Sequence, residues 1–219
     1  MAVGVRRRAE EGGGEAKRQV LKRRAILRGA KAVFLSKGFA AANMDAVAAK
    51  AGVSKMTVYR HFDSKEALFA GVINQLCDAI VDTDLEQVFE LAPQEALRAF
   101  AEKMIAIVFA RETVELHRIV IAESRRFPKL GRLFYATGPE TCVAALAGYF
   151  QRHRGDKRLK IAEPRRSAEE FLELLRGYAH LRLLLGLDKK PSARDVKARI
   201  EAAVGHVLRS NQGRRSRGL

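Results

Sequence analysis

Cysteine is scarce. Cys77 and Cys142 are the only two in 219 residues, and each sits inside a helix-like apolar pattern. No disulfide framework is indicated, and buried thiols in a reducing cytoplasm are expected. No run of about 18 apolar residues is available to span a bilayer. Residues 1–14 carry Arg6, Arg7 and Arg8, then Glu10, Glu11 and a glycine run, with no apolar segment that would serve as a secretory signal. Catalytic signatures are missing as well: there is no Gly-x-Ser-x-Gly, no phosphate-cradling glycine loop, no His-Glu-x-x-His and no paired metal-ligand cysteines. Glu112, Glu115 and His117 are close in sequence, but Glu112 and His117 share no helix face well. Neither an enzyme nor a metal or other cofactor is therefore expected.

Acidic residues are the minority: 25 Asp and Glu stand against 41 Lys and Arg, for a net charge of +16. That surplus favours a polyanionic partner, either nucleic acid or an anionic membrane face, and charge alone does not choose between them. Membrane binding would need a helix pairing a continuous basic face with a bulky apolar one, and none is seen. Hydrophobic residues make up 47%, enough for a core that needs no staples.

Periodicity reads as helix almost throughout, so an all-α fold of about nine helices is expected. The first runs from about Glu15 to Lys37, with Ile26, Ala30, Val33 and Phe34 on one face, and Gly38 placed to end it in a left-handed cap. Gly29 within it marks either close helix packing or nothing. Asn43 can cap a short second helix facing Met44, Val47, Ala48 and Ala51 inward, and Gly52 suits a positive φ in the turn that follows. Ser54 can cap a third, with Val58 and Phe62 inward. Asp63 and Glu66 suggest a capping box opening a long helix that bears Leu68, Val72, Leu76 and Ile80. Five more helices follow, over residues 93–110, 112–126, 129–153, 167–187 and 192–210.

Met44 to Phe62 meets the requirements of a helix-turn-helix: a short apolar-faced helix, a glycine turn, and a second helix with residues left to face outward. Lys55, Met56, Thr57, Tyr59 and Arg60 are then available to DNA. A Lys or Arg suits guanine O6 and N7 or a phosphate, Met and Thr methyls suit a thymine methyl, and a Tyr hydroxyl suits a phosphate oxygen.

A longer string gives the pattern specificity: Ala25-Ile26-Leu27, Phe34, Gly38-Phe39, Met44 to Ala48, Ala51 to Ser54, Thr57 to Phe62 and Ser64 to Leu68. Together these resemble the DNA-binding domain of the TetR family of transcriptional regulators. The resemblance implies a three-helix domain over residues 15–66 whose third helix enters the major groove. It implies, after it, a variable helical domain over 67–210 that dimerises and binds a small-molecule effector. By position it puts phosphate contacts on Tyr59, His61 and Lys65 and base-facing roles on Lys55, Met56, Thr57 and Arg60. Asn43 stands where the family usually has a threonine that caps the helix and touches phosphate; the cap is kept and the DNA contact is in doubt. Each residue also has a plainer role open to it: His61 and Tyr59 as packed side chains, Lys65 as a solvated one. For Lys65, a cation at the positive end of a helix dipole argues for an anion opposite.

The tails, residues 1–14 and 211–219, are basic and expected to be flexible, the first serving equally as a DNA-contacting arm or a solubilising segment. Ser167 to Leu187 is apolar nearly all round and must be buried on more than one side. The last helix carries Val196, Ile200, Ala203, Val204, Val207 and Leu208 on one stripe, and the two resemble the pair that builds the family's dimer interface. Arg118 to Glu123, Phe127-Pro128, Phe134-Tyr135, Gly138-Pro139 and Phe171 to Gly186 resemble the AefR-like branch. A pocket is expected among the central helices, with Met104, Val108, Phe109, Glu112, His117, Phe127, Phe134 and Tyr178 as candidates. The expected function is a cytoplasmic, homodimeric repressor of double-stranded DNA sites, released by a small apolar or amphipathic molecule. Activation instead of repression stays open, and so does a ligand-independent architectural DNA-binding protein.

Overall fold

The computed structural model describes the backbone of residues 3–81, 84–188 and 190–208, and the side chains of residues 15–76, 85–188 and 190–208. The side chains of both expected tails lie outside the described residues, as does that of Cys77; the backbone of residues 3–14, expected as part of a flexible tail, continues the first helix instead. Eleven helices are described: α1 (Val3–Ala41), α2 (Met44–Ala51), α3 (Lys55–His61), α4 (Lys65–Val81), α5 (Asp84–Glu90), α6 (Pro93–Val108), α7 (Arg111–Glu123), α8 (Pro128–Thr137), α9 (Pro139–Arg152), α10 (Pro164–Leu184) and α11 (Ala193–Val207). Among the described residues the only extended pairing is an isolated bridge between Leu159 and Leu208.

The two helices beyond the expected nine have local causes. The segment 129–153 breaks at Gly138 (φ −100, ψ −85), where Pro139 opens α9, and α5 forms ahead of Pro93. Pro93, Pro128, Pro139 and Pro164 all stand at a helix start, where the missing N–H costs nothing.

Glycines and caps set the path of the first four helices. Gly38 has a positive φ of 73 as expected, but its ψ of 176 is not the left-handed helical value; it is extended backbone of the opposite hand, open essentially to glycine. A Cβ on Gly29 would stand 3.0 Å from the Ala51 nitrogen, so this glycine is a site of close α1–α2 packing. Asn43 Oδ1 accepts from the Ala46 N–H (2.8 Å) and Ser54 Oγ from the Thr57 N–H (3.1 Å), both in the expected capping roles. The expected cap of α4 is displaced by one residue: Ser64, not Asp63, accepts from the Ala67 N–H (3.0 Å), because the helix begins at Lys65. The capping box occurs instead at Ser192 and Asp195, opening α11.

Gly52 has φ 67 and ψ 33, and a Cβ there would meet nothing within 4 Å. Its N–H and that of Val53 close α2 on the Ala49 and Ala48 carbonyls. Since space is free and only the backbone objects, Gly52→Ala should cost about 1 kcal/mol in urea unfolding, and Gly52→Asn less. An unchanged midpoint for Gly52→Ala would refute this account of the turn.

The buried residues form two cores. The first joins α1 to α4, from Ile26 to Ile73, and also takes in Leu116 and Val120 of α7 and Leu130 of α8. At its centre Phe34, Phe39 and Phe69 stack and meet edge to face at 5.1–5.9 Å, with Phe127 on Phe39 at 5.4 Å. The second joins α5, α6, α9, α10 and α11 with Val114 of α7. A division at residue 66, which we keep as a proposal, falls within the first turn of α4, so the first core draws on both sides of it. The stripe on α11 faces inward: Ile200, Ala203, Val204 and Val207 belong to the second core rather than to an outer face.

Candidate nucleic-acid interface and internal cavity

Val58 and Phe62 are buried and fix how α3 sits; its other faces are open. Lys55, Met56, Tyr59 and Arg60 are exposed, Met56 at 76%, and Thr57 is half-buried. An apolar side chain that far into solvent has no role in the protein's own packing. Lys55 Nζ lies 3.0 Å from Asp45 Oδ2, and Arg60 Nη2 is 3.5 Å from Thr57 Oγ1. Lys55 must leave Asp45, or share it, to reach a base.

His61 is half-buried, and its Nε2 has no hydrogen-bond partner among the described residues. Burial pushes its pKa down, and the charges of Arg60, Arg23 and Lys22 add to the effect. This set of neighbours joins basic residues of α1 to Arg60 of α3. Arg23 also lies over the Phe62 ring at 4.8 Å. The face is thus basic beyond α3 itself.

Lys65 has a different setting from the one its position suggested. Its Nζ donates to the Ala40 carbonyl (3.1 Å) and stands over the Phe39 ring at 4.6 Å and the Phe127 ring at 6.0 Å. A carbonyl and two ring faces offset the helix dipole, so the cation does not need a phosphate to account for it.

Between the two cores is an apolar cavity of about 60 Å³, bounded by α4, α6, α7, α8, α9 and α10. Of the eight pocket candidates, Met104, Val108, His117 and Phe134 line it. The other four do not. Phe109 is buried edge-to-face with His180 (5.9 Å), Glu112 pairs with Lys31, Phe127 packs on Phe39, and Tyr178 is 82% exposed. Thr113 and Arg176 line the cavity and were not anticipated. The legible sign of Arg176 is an arginine inside the largely apolar segment Phe171 to Leu187; Thr113 has no comparable sign.

His117 meets Phe134 edge-on at 4.6 Å and His180 at 5.0 Å. Burial, with smaller contributions from His180 and Arg176, pushes the His117 pKa down to about 4. The His180 pKa is lowered chiefly by burial and further by Arg176. Both rings are neutral at pH 7. Among the described residues, Thr113 Oγ1, His117 Nδ1 and His180 Nε2 have no hydrogen-bond partner.

α7 joins this cavity to the first core. Glu112 near its start takes Lys31 Nζ at 2.6 Å, and Glu123 at its end accepts from the Ala40 N–H at 3.2 Å, so the helix is held along α1 at both ends. Leu116 is shared, lining the cavity and packing in the first core. Arg118 reaches the other way, to the Leu183 and Leu184 carbonyls at the end of α10 (2.5 and 2.9 Å).

No helix among the described residues is long and apolar enough to cross a membrane. The family described as AefR-like transcriptional repressor, C-terminal domain, matches residues 95–210, and that described as bacterial regulatory proteins, tetR family, matches residues 26–72. The HTH-type transcriptional regulator RutR of Escherichia coli (strain K12) is 33% identical over 127 residues, 58% of this chain and 49% of RutR. The match thus spans about half the length of that curated relative. The HTH-type transcriptional activator FasR of Mycolicibacterium smegmatis is 43% identical over 56 residues, 26% of each chain. Among solved structures, a TetR-family regulator from Mesorhizobium loti has a TM-score of 0.73 at 29% identity, covering 86% of this chain and 96% of its own. The flavonoid-responsive regulator FrrA has a TM-score of 0.64 at 38% identity, covering 84% and 94%.

Proposed function

Because the chain belongs to the TetR family of DNA-binding transcriptional regulators, we propose that it acts as a two-fold homodimer that occludes promoter DNA and is released when a small molecule enters the cavity. The observation that carries this reading is the position of α7. One helix lines the cavity through Thr113, Leu116 and His117 and is tied to α1 through Glu112 and Glu123. A ligand that moves α7 changes the setting of the helix-turn-helix, which is the differential contact that release requires. The match to a family of repressors and the likeness to a flavonoid-responsive regulator support the sign and the ligand dependence.

Dimerisation is supported by α10. Its outer face and the turn after it expose Leu174, Tyr178, Leu181, Leu185 and Leu187. Beside them α11 turns out Ala198, Ala202 and Gly205, small residues that allow close helix approach. An apolar stripe of this extent is unusual on a monomer's surface. Two recognition helices about one DNA turn apart would then read a palindrome. In this reading Lys55, Met56, Thr57 and Arg60 face base edges, while Asn43, Tyr59, His61 and Lys65 approach phosphates.

Selection from a random duplex library, followed by affinity measurements near 0.15 M salt, tests the proposal. A palindromic consensus bound about a thousandfold tighter than random DNA is expected. Binding without enrichment that fades smoothly with salt would leave only electrostatic, architectural binding. On the selected site Arg60→Ala should weaken binding about tenfold and relax preference at one base pair of each half-site. An equal loss on random DNA would assign Arg60 to phosphate.

A further inference from the structure

The cavity carries a chemical selection of its own. Thirteen of the described residues line it; among these Arg176 is the one with a formal charge, and none is a carboxylate. Thr113 is 8% exposed, and its hydroxyl and His117 Nδ1 are polar atoms without partners among the described residues, on a surface that is otherwise mostly apolar, with Ile, Leu, Met, Val and Phe side chains predominating. Leaving such atoms unpaired costs about 1–3 kcal/mol each, which a ligand oxygen would recover. Arg176 is held from outside by Glu173. A guanidinium has five donors and serves two carboxylates at once.

Building on the ligand-released reading above, we propose that the effector is a small amphipathic carboxylic acid. Its apolar body lies against the cavity wall, and its carboxylate sits on Arg176, Thr113 and His117. A cation is disfavoured by the guanidinium, and a plain hydrocarbon would leave the hydroxyl and imidazole unpaired. At about 60 Å³ the cavity is smaller than the roughly 150 Å³ that holds a benzene, so filling it must part its walls. The walls that give way are α7 and α8, which together with α4 both line the cavity and pack in the first core.

The test uses the full-length protein with benzoate, 2-naphthoate and octanoate, each set against its primary alcohol, in calorimetric titration and in an operator-release assay. At least one acid is expected to bind tenfold or more tighter than its alcohol. That preference should vanish in Arg176→Gln and shrink in Thr113→Val, a near-isosteric change that keeps the fold testable if the arginine variant is unstable. Alcohols that bind and release DNA as well as the acids would overturn the acid assignment and leave the regulator reading intact. Acid binding without DNA release would do the reverse. No binding by any of the six compounds overturns the assignment.

Discussion

Leu181→Asp is expected to leave the protein monomeric at micromolar concentration, where the proposed dimer would otherwise form, and to weaken operator binding about a thousandfold. Leu181 is 46% exposed in the single chain and lies within the stripe from Leu174 to Leu187. Seating a leucine in a dry interface is worth about 1.5–3 kcal/mol. In a two-fold interface each substitution occurs twice. With each leucine already about half covered by its own chain, the transfer loss over two copies is about 1.5–3 kcal/mol per dimer, and the cost of confining two carboxylates brings it to about 4 kcal/mol, about a thousandfold in dimer affinity. Since Leu181 belongs to neither buried core, the monomer should keep its helicity. Sedimentation velocity and operator titration on one preparation decide the matter. A variant that still sediments as a dimer would put the interface elsewhere.

How far the sequence was readable follows from what periodicity encodes. Asn43, Gly52 and Ser54 act locally, through backbone geometry and one side-chain oxygen, and their roles are plain from residue type and spacing. Ser64 was harder, because Asp63 and Ser64 are both good caps and only the first turn of α4 decides between them. The break at Gly138-Pro139 is hidden in the sequence because apolar spacing continues across it, from Leu130 to Val143, in two helices that share cores with different neighbours. Periodicity says that a residue faces inward but not which interior space it meets. Phe109 and Phe127 are inward-facing like Met104 and Phe134, yet they close the two cores on either side of the cavity. The α11 stripe was visible as apolar, but whether it meets its own chain or a second copy depends on α6, 100 residues earlier. Lys65 shows the same limit: the dipole argument was sound, and the Ala40 carbonyl and the two rings that answer it arrive only with the tertiary fold.

The neutral histidine pair should make the protein acid-labile in a window of its own. In the unfolded chain His117 takes up a proton below about pH 6.5, whereas in the folded chain burial beside His180 and Arg176 holds it neutral to about pH 4. The unfolded state binds more protons between these limits, so stability falls as pH drops from 6.5 and levels off below 4. A 2.5-unit difference at 1.36 kcal/mol each is about 3 kcal/mol, of which about 2 kcal/mol is lost by pH 5. His180 shifts in the same direction, and the two rings titrate as a pair. The ion-paired carboxylates of Glu140, Asp156 and Glu201, all lowered by their arginine partners, lose their contribution mainly below pH 5 and leave the upper window to histidine. His117→Phe, which keeps a ring against Phe134, should therefore flatten the urea-unfolding free energy between pH 6.5 and 5, whatever it does to stability at pH 7. An identical slope in the variant would mean that water reaches the ring in the folded protein and that burial does not hold His117 neutral. The same measurement bears on the ligand: an acid bound beside His117 stabilises its protonated form, so saturating benzoate or its larger analogues should lift the folded-state pKa and flatten the wild-type slope as the substitution does.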